Sequence, residues 1–340
     1  MSTEKAVSKE TLKRARRVTA ADVAKAAGVS RSAVSRAFTP GAYLDSAKRV
    51  AILATAKRLG YRPNALAASL QGNRTDLVAV IAGDMANHYD AAFVGALVSK
   101  LNAHQKWPLV LSGSDELTEQ SIRSVLRYPL DAVIVRGGSL PASVFQDCAR
   151  LSIPVISSGR VVDAPATDCV ACRNKDGAEL AVRTLLTRGR TCFGYIGGPA
   201  SWSSETERLA GVRHALAEAG LELCALTQSD YTFDGGRAAA ETMFATSDID
   251  ALFCANDAMA LGALSAARNQ NRAVPDQLSI IGFDDIALGA WPDFDLTTIR
   301  NPLDKTIAEI LRLLEARLKD PSKDSETVMI DPQLIARGTH

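Results

Sequence analysis

Four polar side chains near the start of this sequence have the types and spacing that contact nucleic acid. They are Arg31, Ser32, Ser35 and Arg36. In a helix, these four side chains would lie together on one side. Arginine pairs with the edge of guanine in the major groove, and serine hydroxyls bond to phosphate oxygens. A small helical bundle with solvated arginines would show the same spacing, so this pattern alone leaves both possibilities open.

Two further arginines stand at the ends of apolar runs. Arg136 ends the run DAVIVR, and Arg160 follows the run PVISSG. Side chains just beyond the carboxyl ends of parallel strands line the ligand crevice of an α/β fold. A guanidinium offers a fork of donors that matches a carboxylate or a phosphate. These residues predict an anionic ligand, unless Asp84 or Asp284 neutralises an arginine in a structural ion pair.

Charge is distributed unevenly along the 340 residues, although the overall formal charge is only +1. Residues 1–72 contain 14 Lys and Arg against four Asp and Glu, a net charge of +10. The other 268 residues contain 25 basic and 34 acidic groups, a net charge of −9. A basic segment on an acidic body is expected where one end of a chain meets a polyanion.

No catalytic or metal-binding motif is present in the sequence. The four histidines form no HExxH pair, and neither a GxSxG elbow, a GxxxxGK[ST] loop nor a GxGxxG after the first strand occurs. Cys169 and Cys172 have CxxC spacing but lack the two further ligands that zinc needs. We therefore predict no enzyme, no cofactor and no metal, and we expect all six cysteines to be reduced core residues.

The sequence offers nothing that would cross or enter a membrane. No apolar run approaches the roughly 18 residues that span a bilayer. Residues 1–17 are polar and basic without the apolar region of a secretory signal, and they predict a flexible arm. We therefore expect a cytoplasmic protein.

The elements that would position the first four side chains are short helices. Thr19 to Asp22 has the form of a capping box, Gly28 allows the positive φ of a tight stop, and Ser30 can cap a second helix. Helix, three-residue turn and helix make a helix-turn-helix. A third helix is predicted from a cap at Asp45 to about Leu59, with these apolar residues: Val50, Ile52, Leu53, Ala56 and Leu59.

Beyond residue 76 the pattern changes to short apolar runs that alternate with helical stretches such as 205–219 and 234–245. The runs cover residues 77–83, 108–113, 131–137, 154–159, 192–198, 250–257 and 278–285. Runs this apolar suit strands buried on both faces, and the β-α-β repetition predicts a parallel sheet covered by helices. Seven strands over about 260 residues suggest two doubly wound lobes.

The basic segment resembles the headpiece and hinge helix of the lactose-repressor (LacI/GalR) family. The likeness covers residues 18–36, then Tyr61-Arg-Pro-Asn64 and Leu70, without a gap. It implies a homodimer on a pseudo-palindromic double-stranded DNA operator, with hinge helices that pair only on DNA and Leu70 wedged into the minor groove. Arg31 and Ser32 stand where family members vary, so the base preference does not carry over. The DNA-contacting residues implied by the resemblance are Thr19, Ser30, Arg31, Ser32, Ser35, Arg36, Tyr43, Asn64, Ala67 and Leu70.

The acidic body resembles the periplasmic-binding-protein-like effector domain of the same family. The matching pieces are Gly197-Gly-Pro199, Glu207 to Gly211, Ala255 to Gly262, Gly282 to Asp285 and Leu296 to Ile299. The resemblance implies a small-molecule effector, sugar-like or an anionic sugar derivative, bound between two lobes. The resemblance assigns ligand contacts to Tyr89, Arg208, Tyr231, Asn256 and Asp284. The positions of Arg136 and Arg160 at the ends of apolar runs add these two residues to the predicted ligand site.

The expected architecture is an α/β fold with an all-helical headpiece. It consists of a basic arm at 1–17, a helix-turn-helix domain at 18–62, a hinge helix and linker at 63–75, and an effector and dimerisation domain at 76–340. By resemblance, one lobe takes about 76–171 and 301–325, and the other takes 172–300 and 326–340. A ligand-binding receptor of the periplasmic-binding-protein type, without DNA regulation, is the alternative function.

Overall fold

The computed structural model describes residues 18–39, 41–63, 74–83, 85–112, 119–137 and 142–340. Contacts divide the chain into two compact units, Met1–Thr75 and Asp76–His340. The predicted hinge helix, with Asn64, Ala67 and Leu70, and the acidic candidate Asp84 lie outside the described residues.

The first unit contains three helices, α1 (Ala20–Ala27), α2 (Arg31–Phe38) and α3 (Ser46–Leu59). Each begins at a predicted cap. Thr19 and Asp22 form a capping box, the Ser30 hydroxyl accepts from the backbone N–H of Ala33 at 3.2 Å, and Asp45 accepts from Lys48 at 2.9 Å. Gly28 has φ +66°, which ends α1 without the steric cost that a side chain would add.

The core of this unit is a small apolar cluster made by Val23, Ala24, Val34, Ala37, Ile52 and Ala56. Two other apolar residues of α3 lie outside this cluster, because Val50 is 68% exposed and Leu53 is 38% exposed. A helix buries one stripe, and Ile52 and Ala56 occupy it at a spacing of four residues. Val50 and Leu53 point away from that stripe.

The first sheet of the second unit has the strand order β11-β5-β4-β3-β1-β2 and is wholly parallel. Its strands are β1 (Leu77–Ile81), β2 (Trp107–Leu111), β3 (Ala132–Arg136), β4 (Val155–Ser158), β5 (Thr167–Cys172) and β11 (Thr327–Ile330).

The second sheet has the order β12-β10-β9-β8-β6-β7, in which only β12 runs antiparallel to its neighbour. Its strands are β6 (Phe193–Gly197), β7 (Leu223–Gln228), β8 (Ala251–Cys254), β9 (Ser279–Asp284), β10 (Thr298–Arg300) and β12 (Gln333–Ile335). The two sheets define two doubly wound lobes, as predicted.

Helices connect the strands of both lobes. They are α4 (His88–Ala103), α5 (Glu119–Val125), α6 (Ala142–Arg150), α7 (Asn174–Thr187), α8 (Ser203–Glu218), α9 (Phe233–Thr246), α10 (Asp257–Asn269) and α11 (Leu303–Lys319), with a 3₁₀ turn at Ala287–Ala290. In the part of the chain that the structure describes, no helix combines the length and the apolar character needed to cross a bilayer.

All seven predicted apolar runs contain a strand, but five strands carried no such signal. Two of them show why. The strand β5 is buried throughout, yet it contains Thr167 and Asp168, which interrupt the apolar run. The strand β7 alternates between partly buried and exposed positions because it lies at a sheet edge with one face toward solvent.

The predicted lobe boundary at residue 325 needs correction. The family resemblance places residues 326–340 in the second lobe, but β11 pairs with β5 in the first sheet. A buried carboxylate explains this placement. Asp168 accepts from Arg317 Nε at 3.0 Å and from the backbone N–H of Glu326 at 2.8 Å. Only the residues after β11 return to the second sheet, through β12.

The prediction that all cysteines are reduced is wrong for one pair. Cys192 and Cys224 form a disulfide, with their Cα atoms 5.7 Å apart. Cys192 immediately precedes β6, and Cys224 is the second residue of β7. The two cysteines come close because these strands are parallel neighbours, with Phe193 paired to Leu223. The other four cysteines are free and buried, including Cys169 and Cys172 on β5.

Candidate functional site

The outer face of α2 carries the side chains predicted to meet DNA. Arg31, Ser32, Ser35 and Arg36 are all exposed, while Val34 and Ala37 on the opposite side are buried. Tyr43, in the loop before α3, is 93% exposed. The structure therefore brings these five residues to the surface, where donors can reach a partner.

Two of the predicted DNA contacts also have a local structural role. The Thr19 hydroxyl donates to Asp22 Oδ2 at 2.7 Å within the capping box. The Ser30 hydroxyl caps α2 and lies 2.9 Å from the hydroxyl of Ser32. Both residues are exposed. Their contact with DNA stays a prediction.

A cavity of about 360 Å³ lies between the two lobes of the second unit. It is formed by the carboxyl ends of β3, β4, β5 and β9 and by the first turns of several helices, as expected for ligand sites in doubly wound folds. All seven predicted ligand residues line it, namely Tyr89, Arg136, Arg160, Arg208, Tyr231, Asn256 and Asp284. Their contact with a ligand stays a prediction.

Arg208 on α8 is held on several sides by the second lobe. Its Nε donates to Asn174 Oδ1 at 3.0 Å, and its Nη1 donates to the backbone oxygen of Ala255. The guanidinium carbon lies 3.7 Å from the centre of the Phe283 ring. Nη2 lies 3.5 Å from Asp284 Oδ1. These contacts fix the orientation of the donor fork at the cavity wall.

Arg136, at the end of β3, is packed in the first lobe. Its guanidinium carbon lies 5.0 Å from the centre of the Tyr89 ring and 5.2 Å from that of Phe93. Its Nε lies 3.0 Å from Asp90 Oδ1 but makes no hydrogen bond, so this contact is an ion pair without hydrogen-bond alignment. Gly159, with φ +89°, leaves the space that the guanidinium occupies.

Tyr231 belongs to an aromatic pair on the second lobe. The centres of its ring and of the Trp202 ring are 5.2 Å apart, at an interplanar angle of 43°. The Tyr231 hydroxyl donates to Glu205 Oε2 at 3.2 Å. Glu205 is buried and also accepts from Tyr195 at 2.8 Å and from the backbone N–H of Gly198 at 2.8 Å. The carboxylate thereby sets the position of the ring.

Asn256 lines the cavity and also caps α10. Its Oδ1 accepts from the backbone N–H of Met259 at 3.0 Å, and its Nδ2 donates to the backbone oxygen of Tyr231 at 3.0 Å. One N–H of the amide remains for a ligand, since a primary amide has two.

Burial alters the ionisation of acidic groups in the cavity. It raises the pKa of Asp284 to about 6, although Arg208 and Arg136 act in the opposite direction. Burial likewise raises the pKa values of Tyr89 and Tyr231 above that of free tyrosine. Both phenols therefore stay neutral hydrogen-bonding groups, while Asp284 titrates close to neutrality.

The sequence did not single out several residues of this cavity, including Asp90, Ser158, Asn174 and Trp202. Ser158 could have been predicted from the sequence, because it ends β4. Residues at the carboxyl ends of parallel strands line the ligand crevice, which was the reason for selecting Arg160. The others lie at the amino-terminal ends of helices, which no local signal marks as facing a ligand. Among the described residues, no group of three His, Cys, Asp or Glu could hold a metal ion.

Comparison with known proteins gives the same two-part organisation. Residues 19–64 match the family profile "Bacterial regulatory proteins, lacI family", and residues 182–340 match a periplasmic binding protein-like domain. The HTH-type transcriptional regulator GalS of Salmonella typhimurium is 33% identical over 291 residues, which cover 84% of this chain and 86% of that protein.

Solved structures share the fold along nearly the whole chain. The complex of the transcriptional regulator CelR with cellobiose is 26% identical, with a TM-score of 0.72, and the alignment covers 95% of this chain and 100% of that one. The Lac repressor dimer bound to operator and the anti-inducer ONPF is 24% identical, with a TM-score of 0.85, covering 95% and 99%. The latter likeness shows the fold alone.

The helix-turn-helix unit and the two-lobed effector unit together define a ligand-responsive, DNA-binding transcriptional regulator. The chain belongs to the LacI family of bacterial regulatory proteins. The predictions of family, fold class and regulatory function are confirmed. The relatives are transcriptional regulators rather than enzymes.

Proposed function

We propose that this protein is a repressor whose affinity for an operator is controlled by a sugar-like effector in the cavity between its lobes. The observation that carries the proposal is the convergence of Tyr89, Arg208, Tyr231 and Asp284 on one cavity, from four separate segments of the chain. A few directional polar groups beside aromatic faces make the kind of pocket that orients a small polyhydroxy ligand.

The DNA-binding half of the proposal depends on α2. One short recognition helix contacts too few base pairs to specify a site, so two copies of the chain on a pseudo-palindromic operator supply the specificity. Arg31 and Arg36, both exposed and on the same face, are the donors that we expect in the major groove. The protein then acts in the cytoplasm, without catalysis.

The ligands bound by related regulators support a sugar as the effector class. CelR is described in complex with cellobiose, and a LacI-family regulator from Enterococcus faecium is described with bound ribose. A ribose operon repressor of Halalkalibacterium halodurans is 28% identical to this chain over 322 residues. These names favour a carbohydrate ligand and a repressing role here.

The test begins with selection of bound duplexes from a random pool by the full-length protein, followed by gel-shift titration with and without candidate sugars. We expect a pseudo-palindromic consensus, binding that weakens steeply with salt, and an affinity that at least one ligand changes. The Arg31→Ala/Arg36→Ala double variant should lose the consensus but still bind ligand. Ligand binding without any DNA selection would instead support a receptor of the periplasmic-binding-protein type.

A further inference from the structure

The charges that line the cavity do not balance. In the described part of its lining, three arginines, Arg136, Arg160 and Arg208, face two carboxylates, Asp90 and Asp284. Asp90 lies 3.0 Å from Arg136, and Asp284 lies 3.5 Å from Arg208. Among the described residues, neither a carboxylate nor any other acceptor pairs with the guanidinium of Arg160, which follows β4 in the first lobe. Counted over the described residues, the cavity therefore has one positive charge without a partner, at Arg160.

A buried donor stands two residues before that charge. Ser158 is 1% exposed and lines the cavity, and its hydroxyl has no hydrogen-bond partner in the described part of the chain. A buried hydroxyl without a partner is costly, so a site that retains one has a use for it in a bound state. The neighbouring Nε of Arg136 likewise makes no hydrogen bond.

The backbone around these groups is held in place independently of any ligand. Ser157 donates through its hydroxyl to the backbone oxygen of Arg160 at 2.7 Å, and the N–H of Gly159 donates to the oxygen of Val170 at 2.8 Å. The Nη1 of Arg136 lies 3.4 Å from the oxygen of Ser158. These hydrogen bonds fix the backbone of the turn after β4, and with it the positions from which its side chains extend.

From this geometry we infer that the effector carries an acidic group, a carboxylate or a phosphate, which binds in the first lobe against Ser158 and Arg160. This inference rests on the proposed function and names the chemical class of its effector. Arg160 supplies the charge and Ser158 an O–H donor, while Arg136 stays neutralised by Asp90. The amino terminus of α4, capped by Asn87, adds the partial positive charge of a helix end at the same cavity.

The structure gives the three arginines of the cavity different roles. Arg136 has a structural role, through its ion pair with Asp90 and its contacts with two aromatic rings. Arg208 is paired in the same way. Of the three, Arg160 is the residue that remains available to a ligand.

The test is calorimetric titration of the full-length protein with matched neutral and acidic probes. The probes are glucose with gluconate, galactose with galactonate, ribose with ribonate, and inorganic phosphate as the smallest anion. We expect the acid of at least one pair to bind about tenfold more tightly than its sugar, the effect of one charge-assisted hydrogen bond. Arg160→Gln should remove that preference and leave the affinity for the neutral sugar within about twofold.

Two further variants keep the test independent of folding. Ser158→Ala should weaken the acidic probe without loss of thermal stability, because it removes only an unpaired hydroxyl. Arg150→Gln, at a 76% exposed side chain on α6 of the same lobe, is the matched control and should change neither probe. A structural role for Arg160 would instead weaken both members of each pair equally.

Each outcome has a separate meaning for the two proposals. Tighter binding of the neutral member in every pair, or no binding of any anion including phosphate, overturns the acidic subsite. If those neutral sugars nevertheless change operator affinity, the proposed regulatory function stands. If neither sugars nor acids change operator affinity, the proposed function fails even where an anion binds the cavity.

Discussion

Arg208 on α8 and Asp284 at the end of β9 face each other across the second lobe, with Nη2 3.5 Å from Oδ1. Both side chains are at least nine-tenths buried, and the backbone of Asp284 has φ +110°, a conformation rarely adopted by residues other than glycine. The pair thus combines an ion pair, burial and local backbone strain at the wall of the cavity.

A pH dependence follows from the raised pKa of Asp284, about 6. An acid whose pKa is raised by folding contributes stability that is complete below its unfolded pKa and is lost as pH rises through the folded value. Relative to Asp284→Asn, the wild-type protein should therefore lose up to about 3 kcal/mol between pH 4 and pH 7, at about 1.4 kcal/mol per pKa unit. Urea unfolding across that range measures the difference.

Asp293→Asn, at an exposed carboxylate of the same lobe, is the control for this experiment and should show no such trend. A difference between wild type and Asp284→Asn that stays constant from pH 4 to pH 7 would contradict the assignment.

Gly159→Ala should destabilise the effector unit by about 1–3 kcal/mol, because a Cβ there would meet the guanidinium of Arg136 at a backbone with φ +89°. Thermal unfolding gives the value. In an Arg136→Ala background the steric part should vanish and only the backbone cost remain. Equal costs in both backgrounds would mean that the two residues do not share this space.

Ser158→Ala should leave the ligand-free protein as stable as the wild type or more stable by about 1 kcal/mol, since it removes a buried hydroxyl that has no partner among the described residues. Chemical denaturation checks this. Ser157→Ala is the contrasting variant and should lose stability, because the Ser157 hydroxyl donates to the backbone oxygen of Arg160. A clear loss of stability in Ser158→Ala would show that its hydroxyl already serves the fold.

Trp202 should report effector binding through its fluorescence. It lines the cavity, whereas Trp107 and Trp291, the other two tryptophans, are 62% and 55% exposed. In the Trp107→Phe/Trp291→Phe variant, a bound effector should still change the emission. Trp202→Ala should weaken binding about two- to tenfold, because an aromatic contact is worth about 0.5–1.5 kcal/mol. If the effector changed the emission of the wild type but not that of the Trp107→Phe/Trp291→Phe variant, the result would argue against this site.

Arg31→Ala should relax the base preference at one position of each operator half-site, at a cost of about 1–3 kcal/mol in discrimination. Ser35→Ala, on the same exposed face of α2, should weaken all sequences alike, because a phosphate contact carries no base information. Binding of a library of single-base operator variants separates the two effects. An unchanged preference profile in Arg31→Ala would remove it from the base-contacting set.

Local signals in the sequence were enough to predict the helices of the first unit and most strands of the second. Caps at Thr19, Ser30 and Asp45 act within three residues, and an apolar run records burial on both faces of a strand. Where burial depends on a distant partner, the local signal fails. Asp168 breaks its apolar run, yet it is wholly buried because Arg317 and Lys323 neutralise it from far along the chain.

The candidate site divides in the same way. Residue type and position at strand ends, together with the family resemblance, determined from the sequence that Arg136, Arg160, Arg208 and Asp284 would share one cavity. Only the tertiary structure decided which of these charges remain available to a ligand. Ion pairing depends on distances of a few ångströms between side chains that are up to 76 residues apart in sequence, as for Arg208 and Asp284. No periodicity or spacing along the chain carries that information.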